Sequence, residues 1–149
     1  KEQLLQAVMD RVLEPLASSV GTLQEQDQFD IKHFISLVFS VMAEHPFLPQ
    51  LIAREVFLPG GNMQQKFLQH FAPRLGGRLP GILRKQQDAG RIAAELDPHV
   101  TTLLVLSVCF FPFIAKPAAE QALGIAYDEA GLDLIGSHIS ILLERGLRT

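Results

Sequence analysis

The stretch TTLLVLSVCFFPFIAKP, residues 101 to 117, decides how this chain is read. From Leu103 to Ala115 only Ser107 is polar, and Pro112 stands near the end of the run. A helix that spans a membrane needs roughly 20 mainly apolar residues. The run from Val100 to Ala115 is shorter, is interrupted by Pro112 and opens beside Asp97 and His99. It therefore reads as a buried helix of a soluble protein. Asp97-Pro98 supplies an N-cap and a first-turn proline, and Lys116-Pro117 marks the end.

A helix covered from one side needs an apolar stripe of about 100°. Here Leu103, Leu106, Ser107, Phe110 and Ile114 make one stripe, and Leu104, Val108, Phe111 and Ala115 make the opposite one. The last helical pattern, residues 131–146, shows the same excess. Leu132, Ile135, Ile139, Leu142 and Leu143 form a face that Leu134 and Ile141 widen to roughly 200° at 100° per residue. Two successive helices with apolar surface to spare predict a two-fold dimer, both pairing with their copies in a four-helix bundle. The candidate interface residues are Leu103, Leu106, Phe110, Ile114, Ile135, His138, Ile139 and Leu142. His138, buried between two copies, would couple association to its own protonation. The alternative is a monomer whose other helices wrap these two completely.

Outward from that core the chain is helical throughout, with no convincing period of two. Leu5, Val8, Met9, Val12, Leu13, Leu16 and Val20 recur at helical spacing, with Pro15 inside the pattern and Gly21 at its end. GTLQEQDQ is a polar connection, and Asp30 is an N-cap for a helix through Glu44. Pro46 suits the first turn of a third helix, and PGGN at 59–62 breaks the chain. Residues 63–88 are helical but carry Pro73, Gly76, Gly77, Pro80 and Gly81, which predicts a kinked or broken helix around 76–81. The prediction is one all-α domain of six to seven helices spanning residues 1–149.

Composition excludes several functions. Of 149 residues, 48% are hydrophobic and 19% charged, which is globular, and a net charge of −3 argues against a nucleic-acid face within this chain. A single cysteine, Cys109, excludes an internal disulfide framework and multi-cysteine metal sites. The five histidines lack metal-ligand spacing, no G-x-S-x-G or phosphate-cradling loop occurs, and nothing supplies a nucleophile or a paired acid and base. No metal, cofactor or enzymatic activity is expected. The chain opens at Lys1 in mid-pattern, which suggests a segment upstream.

Several short stretches taken in order resemble one family. KEQLLQAVMDRVLEPL is similar to the segment that leaves the helix-turn-helix in regulators of the tetracycline-repressor (TetR) type. FSVMAEHPFLPQLIAREV resembles that family's middle helices, DAGRIAAELDPHVTTLLVL its connection into the first dimer helix, and LLERGL the end of the second. The resemblance implies an effector-binding and dimerisation domain of a cytoplasmic transcriptional regulator, most of which repress. It further implies a linking helix at 1–21, pocket helices at 30–88, dimer helices at 98–115 and 131–146, and a DNA-binding helix-turn-helix upstream.

Ten phenylalanines, with one tyrosine and no tryptophan, cluster on the middle helices and the apolar one. With Val38 and Met42 they could ring a cavity for a small hydrophobic effector. The candidate pocket residues are Phe34, Val38, Met42, Phe67, His70, Phe71, Arg74, Ser107, Phe111 and Tyr127, the polar ones as handles. His70 and Arg74 stand one turn apart beside Phe67 and Phe71. Two other readings compete: a helical scaffold dimer with no small-molecule ligand, and a membrane-inserting apolar hairpin.

Overall fold

A computed structural model describes residues 2–25, 30–75 and 77–148. The elements are α1 (Glu2–Glu25), α2 (Ile31–Glu44), α3 (Leu48–Ile52), which runs on into one π turn (Ala53–Phe57), α4 (Gln64–His70), α5 (Leu79–Asp88), α6 (Pro98–Ile114), α7 (Lys116–Leu123) and α8 (Glu129–Leu147). The all-α class holds, with eight α-helices and no strand among the described residues. The number exceeds six or seven because residues 63–88 divide into two helices and residues 116–123 form one of their own.

α2 and α6 lie at the centre. α2 packs on α1, α6 and α8, while α6 also meets α3 and α5. α1 contributes Met9, Val12, Leu13, Leu16 and Val20, buried at three- and four-residue spacing, to the same core cluster as Phe34, Ile35, Val38, Phe39 and Met42 of α2. α1 does not stop at Gly21 but continues to Glu25. The guanidinium of Arg78 lies over that glycine, where a Cβ would come within 2.8 Å of its Nη1. The bare backbone that makes glycine a poor helix residue is thus covered. Residues 26–28 of the polar connection lie outside the described residues.

Capping accounts for most of the remaining boundaries. Lys32 N donates to Asp30 Oδ1 at 3.0 Å, so Asp30 opens α2 as its sequence position suggests. Pro46 does not open the next helix. Leu48 N instead donates to the His45 carbonyl at 2.9 Å, closing a turn over Pro46 and Phe47, and Pro49 occupies the first turn of α3. The π turn is closed by Leu58 N donating to Ala53 O at 3.0 Å. Inside it Glu55, 4% exposed, accepts from Arg54 Nε and from the backbone and side-chain nitrogens of Asn62. Gly61 is required there, because a Cβ would stand 2.2 Å from the Glu55 carbonyl oxygen.

The break in residues 63–88 comes earlier than the run of breakers suggests. α4 ends at His70, a turn follows, and Pro80 and Gly81 fall in the first turn of α5, where a proline's missing N–H leaves no bond unmade. Gly76 lies outside the described residues. Asp97 Oδ1 accepts from His99 N at 2.8 Å and Val100 N at 2.9 Å, which opens α6. The chain then bends by 73° into α7. The Tyr127 hydroxyl donates to the Pro112 carbonyl at 2.5 Å, tying the end of α6 to the segment that leads into α8. Among the described residues no single helix is long and apolar enough to cross a membrane, although two bent helix pairs reach the length together.

Candidate functional site

α6 is apolar on every side, but only one side meets its own chain. Thr101, Thr102, Val105 and Cys109 face inward and are buried. Leu106, Phe110 and Phe113 flank them, half-buried against the core. The outward side carries Val100, Leu103, Leu104, Ser107, Val108 and Phe111, with Leu103 64% and Phe111 63% exposed. This stripe straddles the two read from the sequence, because a helix with no polar side offers no moment by which to choose its inward face.

α8 repeats the arrangement. Gly131, Ile139 and Ser140 are buried, and Gly136 lies 3.8 Å (from the position of a Cβ) from side-chain atoms of Ile35 and Phe39, so α8 closes on α2. Leu134, His138, Ile141 and Leu142 point outward, Leu142 72% exposed. The ring of His138 lies with Nδ1 2.9 Å from the Leu134 carbonyl, one turn back on the same helix. α6 and α8 pack on each other, and each also carries an outward apolar stripe. Of the eight interface candidates, Leu103, His138 and Leu142 stand on this outward surface. Leu106, Phe110, Ile114 and Ile135 are half-buried, and Ile139 lies within the chain's own core.

The pocket candidates are dispersed. Phe34, Val38, Met42 and Phe71 belong to the closed core, with Phe67 packed against it and its ring 6.2 Å from that of Phe71. Ser107 and Phe111 face outward on α6, where the Ser107 hydroxyl donates to the Leu103 carbonyl. Tyr127 holds the Pro112 carbonyl, and burial, with Glu120 nearby, raises its phenol above the usual range. Cys109 is a buried thiol that burial pushes up to about 12, so it is an inert packing group.

Three pocket candidates do meet. His70, Phe71 and Arg74 line a cleft of about 680 Å³ between α1 and α4, together with Gln6, Asp10, Glu14 and Lys66. Arg74 Nη1 donates to Glu14 Oε2 at 2.7 Å and Nη2 donates to Glu14 Oε1, a two-point contact between elements sixty residues apart. That hydrogen bonding, with the charge of Arg74, holds the Glu14 carboxyl below the usual range and raises Arg74. Gln6 Nε2 donates to Asp10 Oδ1 at 2.8 Å, but Gln6 Oε1 is buried with no donor. An unsatisfied buried acceptor costs about 1–3 kcal/mol. Sequence reasoning passed over Gln6, Asp10 and Lys66. The signal was their one-turn spacing, which also describes any solvated helix face.

The fold is an all-helical domain whose α6 and α8 each bury one side in the core and turn an apolar side outward. The sequence model of the family described as "Tetracyclin repressor-like, C-terminal domain" matches residues 29–140, and the chain belongs to that family. No match was found among curated proteins.

Proposed function

We propose that this chain is the dimerisation and effector-responsive domain of a cytoplasmic transcription regulator, acting as a repressor. The observation that carries the reading is the pair of outward apolar stripes on α6 and α8. Leu103, Leu104, Phe111, Leu134 and Leu142 are all more than half exposed, on helices that already have a buried side. Fully burying one such side chain is worth about 1.5–3 kcal/mol. A second copy presenting the same surface covers them in a closed, two-fold arrangement, the homodimer of this reading.

In this reading a helix-turn-helix joined to α1 contacts operator DNA, and two such heads meet half-sites about 34–36 Å apart. α1 is the element through which the effector acts. It is touched by Arg74 at Glu14 and by Arg78 at Gly21, both from the turn between α4 and α5. A ligand that favours one position of that turn over another biases α1, and only such a difference in affinity can change DNA binding. An apolar effector, the class suggested by the phenylalanines, would have to open the core around Phe34, Val38 and Met42.

Sedimentation velocity tests the association. The wild-type chain sediments as a dimer. Leu103→Glu and Leu142→Glu, both outward and free of core contacts, give monomers of unchanged helical content by circular dichroism. A wild-type chain that stays monomeric across the concentration range overturns the reading.

A further inference from the structure

We infer that the cleft between α1 and α4 binds a small zwitterion, a molecule of amino-acid size carrying both an ammonium and a carboxylate. The inference rests on the effector-responsive reading and names the ligand class. The chemistry of the two walls is complementary to such a molecule. On α1, Gln6 and Asp10 stand one turn apart, and the exposed Asp10 carboxylate presents acceptors. Asp10 takes one hydrogen bond, from Gln6 Nε2, and a carboxylate can accept more.

On the other wall, Lys66 and His70 of α4 also stand one turn apart. Among the described residues neither side chain has a hydrogen-bond or ion-pair partner. A wall of acceptors facing a wall of donors fits a ligand that carries its positive and negative ends on one short frame. An ammonium goes to Asp10, and a carboxylate goes to Lys66 and His70.

The remaining features set size and polarity. The Glu14–Arg74 pair consumes both of its charges at one end of the cleft, so neither competes for the ligand. Phe71 closes the floor of the cleft and is itself buried in the core, so the charged groups of the lining stand at its walls. A cleft of about 680 Å³ holds a molecule of this size.

The test is a nuclear magnetic resonance titration of the wild-type chain with a pool of the twenty L-amino acids, then with single members. Decanoate serves as the apolar probe, and the methyl ester and N-acetyl derivative of each binder serve as single-charge probes. The expected result is a binder whose shift changes are confined to residues 6–14 and 64–75. It weakens about tenfold in Asp10→Asn and in Lys66→Gln, and likewise on losing either of its own charges. Binding of decanoate with changes at Phe34, Val38 and Met42, and no response to amino acids, overturns the zwitterion cleft but leaves an effector domain. No response to any probe overturns the cleft and the effector reading together. Binding indifferent to both substitutions overturns the assignment of the walls.

Discussion

Arg74 grips Glu14 with two nitrogens, joining the turn after α4 to the middle of α1. Both side chains are substantially exposed, so the pair adds little to global stability. Its effect is local. Replacing Glu14 with Gln leaves the thermal midpoint nearly unchanged but speeds amide exchange and proteolysis in residues 71–78. Unchanged exchange there would show that the turn is held by other contacts. The Glu14 carboxyl is held below the usual carboxylate range, so the contact survives mild acid and is lost as pH falls through that lowered value.

Asp97 gives a second pH dependence. Its carboxyl is held low chiefly by the backbone N–H of Val100, then by that of His99. A group whose pKa is depressed by folding stabilises above its unfolded value, near 3.9 for Asp, and loses that contribution as pH falls through the folded value. Asn also caps helices but does not ionise. The gap in thermal midpoint between wild type and Asp97→Asn is therefore widest near neutrality and closes in acid. A gap independent of pH would mean that the charge of Asp97 contributes nothing.

Cys109 resists thiol reagents in the folded chain. It is 1% exposed and its thiol is raised to about 12, so almost no thiolate forms near neutral pH. Labelling with a thiol-specific reagent follows global unfolding, at a rate that rises with denaturant. Cys109→Ser, which places a hydroxyl in that apolar position, costs about 1–3 kcal/mol in a urea titration. Rapid labelling in buffer would contradict the burial.

Two glycines of α8 should behave oppositely when changed to alanine. At Gly131 a Cβ would stand 2.0 Å from the Ala126 carbonyl oxygen, so the entry to α8 must shift, at about 1–3 kcal/mol. At Gly136 the nearest atoms of Ile35 and Phe39 are 3.8 Å away, an ordinary contact. Gly136→Ala is neutral or slightly stabilising, since alanine is the better helix former. Urea titrations of the two variants decide it, and equal losses would refute the geometry.

What could be read from the sequence follows from how local each signal is. Asp30 and Asp97 act on backbone nitrogens two or three positions away, so their caps were legible. Pro46 and Pro49 stand three positions apart in one stretch, and only the turn closed by Leu48 distinguishes them. The continuation of α1 past Gly21 depends on Arg78, which lies 57 positions along the chain. The cleft was the least legible feature. Gln6 and Asp10 resemble an ordinary wet helix face until α4 is laid opposite them, while the phenylalanines that suggested a pocket pack largely into the core. The excess of apolar surface on α6 could be read at once, but not which side of it faces out.

The main-chain nitrogen of Ala93 donates to the Leu147 carbonyl at 2.9 Å, fastening the lead-in to α6 to the last turn of α8. At the opposite end α7 and the Tyr127 tie bridge the same two helices. The pair is therefore a ladder closed top and bottom. Anything resting on the outward stripes meets two helices tied at both ends. On the other side of the molecule α4 touches the π turn, and two arginines, Arg74 and Arg78, reach across to α1.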